Sequence, residues 1–334
     1  MSPAPPGGGR PLLEVRDLRT RIPSEGGGEV RAVERVSFSM ARGESLALVG
    51  ESGSGKSMTA LSILGLAPGG RGMTSGQVFF EGVDLLSLSA SELRKVRGRE
   101  VGIVFQDPAT SLNPVLTIGR QLTEGLREHL GMTEAARRAR AIELLSLVGV
   151  PDAKDRLGSY PHEFSGGQRQ RILIAMAIAC APGLLIADEP TTALDPTIQA
   201  QIVGLLKGLQ TRMGMAILWI THDLALVAGL VDRVAVMYAG SIVETAPVRD
   251  LFKRSRHPYT RGLLRAMPRT DARHESGASL VPIPGAPPDL RMESAGCPFA
   301  PRCAMAVERC RLERPPLSRI EPAHEAACFR SGEM

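Results

Sequence analysis

The run Gly50-Glu51-Ser52-Gly53-Ser54-Gly55-Lys56-Ser57 satisfies the pattern G-x-x-x-x-G-K-[ST] at every position, and no other stretch constrains the fold as tightly. Upstream, Ser45-Leu46-Ala47-Leu48-Val49 reads as a buried strand; downstream, Met58 through Leu66 reads as a helix. Strand, glycine-rich loop and helix in that order make a phosphate cradle. Glycines let the backbone wrap closely with its N–H groups turned inward. The helix start adds free donors and positive dipole. Lys56 supplies a charge for the β- and γ-phosphates, and the Ser57 hydroxyl is placed for Mg²⁺. Residues 50–57, with Met58 behind them, are therefore candidate contacts to a nucleoside triphosphate.

A second element lies far downstream. Gly183-Leu184-Leu185-Ile186-Ala187-Asp188-Glu189-Pro190 is an apolar strand ending in two carboxylates. Asp188 is the candidate Mg²⁺ holder and Glu189 the candidate base that polarises the attacking water. Alternation along a strand is expected to send the two carboxylates to different tasks.

Just upstream, Phe164-Ser165-Gly166-Gly167-Gln168 resembles the signature motif of ATP-binding cassette (ABC) proteins, and the apolar-patterned stretch 169–179 behind it reads as a helix. Ser165, Gly166, Gly167 and Gln168 sit at its start, where open backbone donors can receive a phosphate. Further pieces follow the order of that family. Gln106 in Val104-Phe105-Gln106-Asp107-Pro108 matches the Q-loop glutamine, which senses Mg²⁺ and the membrane partner. Asp195 in Ala193-Leu194-Asp195 matches the D-loop, and His222 in Ile220-Thr221-His222-Asp223 the switch histidine that contacts the γ-phosphate.

The resemblance implies an ABC-type α/β nucleotide-binding domain with a helical signature subdomain, acting as an ATPase with ATP and Mg²⁺. It also implies a sandwich dimer, in which the signature motif of a second ATPase subunit, a copy or a paralogue, caps the ATP on this one. Two transmembrane permease subunits and, indirectly, an extracytoplasmic solute-binding protein complete the machine. Catalysis rests on Glu189 and His222, by positioning and charge stabilisation. The family also places an aromatic on adenine about two dozen residues before the loop. Residues 13 to 37 contain no Phe, Tyr or Trp; Arg21 and Ile22 are candidate substitutes, and a different placement of the loop over residues 25–29 is the alternative.

At 43% hydrophobic and 22% charged residues, the 334-residue chain suits one or two globular domains. No run of eighteen apolar residues occurs. The proline- and glycine-rich start has no apolar core to serve as a signal peptide, so residues 1–12 are expected to be a disordered tail on an intracellular protein. The nucleotide-binding domain is expected over 13–255, its helical subdomain over about 107–182 with Gln106 as hinge. Strands are expected at 33–40, 45–49, 101–105, 184–188, 216–220 and 233–237. Ser111-Leu112-Asn113-Pro114 would lie near the coupling surface for a membrane subunit.

Residues 256–334 form a C-terminal extension, with eleven of the chain's 25 prolines. Over 253–334, fourteen Lys/Arg face nine Asp/Glu, a balance of +5; this is read as a solvated face or a patch toward anionic lipid. Nucleic acid is not expected as a partner, since no aromatic–basic interleaving or reading motif appears. His257-Pro258-Tyr259-Thr260, Ile283-Pro284-Gly285-Ala286-Pro287-Pro288 and Gly296-Cys297-Pro298-Phe299-Ala300-Pro301-Arg302-Cys303 resemble the oligopeptide and dipeptide importer ATPases. That branch implies peptide import at the cytoplasmic face of the cell membrane, with nickel chelates or glutathione as alternative cargo. A soluble ABC ATPase without a transporter is the remote alternative, disfavoured by the single cassette and the lack of a heptad run.

Four of the five cysteines, Cys297, Cys303, Cys310 and Cys328, fall in this extension. The absence of a C-x₂₋₄-C pair disfavours zinc, and an intracellular setting disfavours disulfides. An iron–sulfur cluster, reduced structural thiols and zinc all stay open. The resemblance implies a [4Fe–4S] cluster, since branch members are thought to hold one at such a quartet. Cys180 is expected to be plain core. His324, four residues before Cys328, is expected near the quartet without a ligand's task. His129, His162, His257 and His274 are expected to be surface or local contacts.

Overall fold

The computed structural model describes residues 10–24, 27–70, 73–192, 194–267 and 282–334. Most of the expected disordered tail and His274 lie outside these. The end of that tail does not: Leu12 is fully buried and donates its N–H to the Met40 carbonyl. An apolar side chain flanking a strand finds the core, so the ordered body begins earlier than residue 13.

The chain divides into two compact units, the first made of residues up to 41, 45–86 and 220–334, the second of 42–44 and 87–219. In the first unit, β1 (Leu13–Pro23) pairs antiparallel with β2 (Glu29–Met40). On its other edge β1 pairs with β4 (Thr74–Phe80), which continues to β5 (Val83–Asp84). The phosphate-loop strand β3 (Ser45–Val49) is buried at every residue and pairs parallel with β9 (Arg233–Tyr238), matching Val49 to Val236. An unbroken apolar run is what a strand covered on both faces requires.

From β9 the pairing runs antiparallel to β10 (Ser241–Pro247), then to β12 (His324–Ala326) and β11 (Ser318–Glu321). The C-terminal extension thus adds two strands to the edge that begins at the phosphate-loop strand. It belongs to the same compact unit as that loop.

The second unit carries β6 (Val101–Val104) and β7 (Leu184–Asp188), paired parallel, with β8 (Ala216–Thr221) beyond β7 and belonging to this unit as far as Trp219. Between β6 and β7 the chain is helical: Pro108–Ser111, Ile118–Leu130, Glu134–Leu147, Ala153–Arg156 and Gly166–Ala177. Thr133 caps the third of these by accepting from the Ala136 N–H, as its sequence suggests. All six expected strands are present. The strands at 13–23, 74–80, 83–84, 241–247, 318–321 and 324–326 were not foreseen, since they lack a continuous apolar run.

Candidate nucleotide-binding and hydrolysis site

In the first unit, the loop after β3 is shaped by glycines. Gly50, Gly53 and Gly55 all have positive φ (159°, 76° and 101°). Two of them also press on neighbouring backbone: a Cβ on Gly50 would stand 2.2 Å from the Met237 carbonyl oxygen, and one on Gly55 2.2 Å from that of Ala32. Gly55 serves as N-cap of the helix Lys56–Ile63 and brings no capping side chain to its first N–H groups. Lys56 is buried and spans the loop, its Nζ donating to the carbonyls of Gly50 and Glu51 at 2.9 Å each. Ser57 and Met58 follow, half-buried, in the first turn of that helix.

His222 is exposed at the end of β8, where Asp223 caps a short helix by accepting from Ala225 and Leu226. Arg21, expected near adenine, is exposed on β1 and ion-paired with Glu29 at 3.3 Å; Ile22 beside it is half-buried.

In the second unit, Asp188 ends β7 and is buried, while Glu189 is half-buried. The chain does not run on as a strand here: Glu189 adopts a left-handed conformation, φ 45°. Strand alternation is therefore not what separates the two carboxylates. A tight turn held by the Thr192 N–H to Glu189 carbonyl bond re-aims the second one. A non-glycine residue in this region, immediately before a proline, stores strain of about 1–3 kcal/mol. The reward is placement. Glu189 Oε2 accepts from Gln106 Nε2 at 3.0 Å and from the Thr192 hydroxyl at 2.8 Å. The glutamine expected to sense the metal thus touches the candidate base directly. Thr192, absent from the sequence reading, completes the grip.

The signature residues open the helix Gly166–Ala177. Ser165 and Gln168 form a reciprocal cap: Ser165 Oγ accepts from the Gln168 N–H, and Gln168 Oε1 from the Ser165 N–H. Ser165 and Gly166 are exposed. Gly167 lies so close to Ile198 that a Cβ would stand 2.9 Å from Cγ2. Ile198 in turn donates its N–H to Asp195, which caps the helix Pro196–Met213. Signature and D-loop are one packed surface. Ala193 lies outside the described residues.

The four cysteines of the extension line one small cavity of about 20 Å³, together with Phe299, Phe329 and His257. Burial pushes the Cys328 thiol up to about 11 and raises those of Cys297 and Cys303. Among the described residues, however, no three His, Cys, Asp or Glu are grouped so as to hold a metal ion. Cys180 is half-buried beyond the end of its helix, 3.8 Å from the Gly125 carbonyl.

His257 makes a local contact, in the interior rather than at the surface: its Nδ1 accepts from the Tyr259 N–H, and burial lowers its pKa to about 3. His324, also buried, pairs with Glu244 at 2.8 Å instead of approaching the thiols.

Residues 33–192 match the ABC transporter family, and residues 243–310 match the oligopeptide/dipeptide transporter C-terminal region. The chain is 51% identical to the oligopeptide transport ATP-binding protein of Bacillus subtilis, over 94% of this chain and 87% of that one. With the dipeptide transport ATP-binding protein of the same organism the identity is 48%, over 95% and 94%. The oligopeptide transport ATP-binding protein of Escherichia coli K12 gives 48% over 96% and 94%. Among solved structures, the dimeric post-hydrolysis state of the ATP-binding cassette MJ0796, bound to ADP and Pi, superposes with a TM-score of 0.63. Its sequence is 29% identical, over 71% of this chain and 99% of that one.

Proposed function

Since the chain belongs to the ABC transporter ATP-binding proteins, with an oligopeptide/dipeptide-type C-terminal region, we propose that it hydrolyses ATP to drive import of di- and oligopeptides through partner membrane subunits. The chain is an ABC ATPase; the cargo and the assignment of each residue are our reading. The observation that carries the site is the grip of Gln106 and Thr192 on Glu189, next to the buried Asp188.

In this reading residues 50–57 and Met58 hold the triphosphate, Lys56 meeting the β- and γ-phosphates. Ser57, Gln106 and Asp188 would hold Mg²⁺, which would supply positive charge to the phosphates. Glu189 orients a water for in-line attack on the γ-phosphorus and accepts its proton, and His222 steadies the phosphate that leaves ADP. Gln106 makes the base sensitive to its own segment, because any shift of residues 105–114 moves the amide that holds Glu189. Phe105, which opens that segment, and Val115, which directly follows it, are 38% and 75% exposed and suit a membrane subunit's coupling element. Ser165, Gly166, Gly167, Gln168 and Asp195 face the ATP of a second ATPase subunit, copy or paralogue. ATP closes the dimer, and hydrolysis reopens it.

No described helix is long and apolar enough to cross a membrane; the protein works peripherally at the cytoplasmic face, on two permease subunits served by a solute-binding protein. We place the nucleotide-binding domain at 13–255, its helical part at about 107–182, and the extension at 256–334. Cys297, Cys303, Cys310 and Cys328 would hold a [4Fe–4S] cluster, a redox-active group. Their number and chemistry suit one, but their arrangement does not yet form a ligand set. Iron and sulfide content after anaerobic purification decides this.

The test of cargo is uptake of labelled peptides into proteoliposomes holding the complete transporter. ATP-dependent uptake of short peptides is expected. Uptake of a nickel chelate or glutathione alone would replace the cargo, and failure to capture any membrane subunit would favour a soluble ATPase.

A further inference from the structure

One side chain of the C-terminal extension reaches the phosphate loop. The guanidinium of Arg302 forks onto the carboxylate of Glu51, with Nη1 2.8 Å from Oε2 and Nη2 3.0 Å from Oε1. Its other donors are committed as well: Nε to the Pro284 carbonyl at 2.9 Å, Nη2 to that of Ile283 at 3.3 Å, and Nη1 to the Tyr238 hydroxyl at 3.4 Å. The side chain is only 5% exposed. A planar fork fixed at every corner holds its partner in one place, which a flexible ammonium could not do.

Glu51 is held from its backbone too. Its N–H donates to the Tyr259 hydroxyl at 2.9 Å, and its carbonyl accepts from Lys56 Nζ and from the Ser54 N–H. Tyr259 belongs to the helix Pro258–Arg265 and is fully buried. Its ring packs on Tyr238 (centroids 4.5 Å) and on Phe299 (5.4 Å), which stands three residues before Arg302. The second residue of the loop is therefore gripped on side chain and backbone by residues that lie more than 200 positions away.

The chemistry of Glu51 gives the grip a purpose. A bare carboxylate in a loop that receives a triphosphate would repel it; a bidentate guanidinium cancels that charge while the loop keeps its shape. We propose that the C-terminal extension, through Arg302 and the hydroxyl of Tyr259, is a positioning and charge-neutralising clamp on the phosphate loop that sets its affinity for MgATP. The inference rests on residues 50–57 being the triphosphate site.

Equilibrium binding of MgATP to the full-length chain tests it, with the melting temperature without nucleotide as a record of folding. Arg302→Ala should weaken binding about tenfold, and Tyr259→Phe, which removes only the hydroxyl, about threefold. Adding Glu51→Gln to Arg302→Ala should restore most of the loss, because the uncompensated charge is gone; a purely structural role for Arg302 predicts no such rescue. Arg302→Lys, which keeps charge but loses the fork, should fall between. Wild-type affinity in Arg302→Ala, or a loss that Glu51→Gln does not relieve, would overturn the clamp. Should Arg302→Ala not fold, wild-type affinity in both Arg302→Lys and Tyr259→Phe would do the same. Lys56→Ala is the control: full affinity there would overturn the site itself rather than the clamp.

Discussion

The phosphate loop and the cysteine cavity belong to one compact unit, and both are marked by short strings in the sequence, yet they are built in opposite ways. The loop is a backbone device. Its positive-φ glycines, the two carbonyls that take Lys56 and the helix start behind it follow from eight consecutive residues. The cavity is a side-chain device. Its thiols come from positions spread over residues 297–328 and meet only through tertiary packing around Phe299 and Phe329. Backbone geometry is encoded locally; convergence of distant side chains is not.

Substitutions can break this contrast. The largest effect is expected at Gly55→Ala, whose new Cβ would sit 2.2 Å from the Ala32 carbonyl at a φ of 101°. MgATP binding should drop more than a hundredfold, with about 3 kcal/mol of stability lost in urea unfolding. Near-normal binding would show that the loop tolerates another backbone path.

Acid should act on the cavity side. With its folded pKa lowered to about 3, His257 stays neutral in the native state while the unfolded chain takes up a proton near pH 6.5. The stability it supports is complete above about pH 6.5 and is lost as pH falls from there toward 3. Between pH 7 and 5 the loss should be about 2 kcal/mol in urea unfolding, and His257→Asn, which keeps an acceptor for the Tyr259 N–H, should remove it. An unchanged pH slope in that variant would contradict the neutral, buried histidine. Smaller again is Cys310→Ala: if the thiols act only as packing, about 1–2 kcal/mol is expected with no change in metal content. Loss of bound iron in that variant would instead give the quartet a ligand's role.

The same contrast explains how much of the molecule was legible. The phosphate loop, the buried strands at 45–49 and 184–188 and the Thr133-capped helix all follow from local pattern. The pattern singles out Glu189 as a candidate but not its orientation, because nothing in an apolar run announces a left-handed turn before Pro190. Thr192 gave no signal beyond its nearness to Glu189. Tyr259 and Arg302 stood inside strings recognisable as typical of peptide importers, while their partner Glu51 lay 208 and 251 positions away. A string can mark a branch without disclosing which atom it serves.

The central claim is that Glu189, held by Gln106 and Thr192, is the base of an ATP-driven transport cycle. ATP turnover by the reconstituted transporter carrying Glu189→Gln, measured with peptide present, tests it most directly. The account predicts MgATP bound with near-normal affinity and turnover reduced at least about a hundredfold. Turnover at the wild-type rate would contradict it.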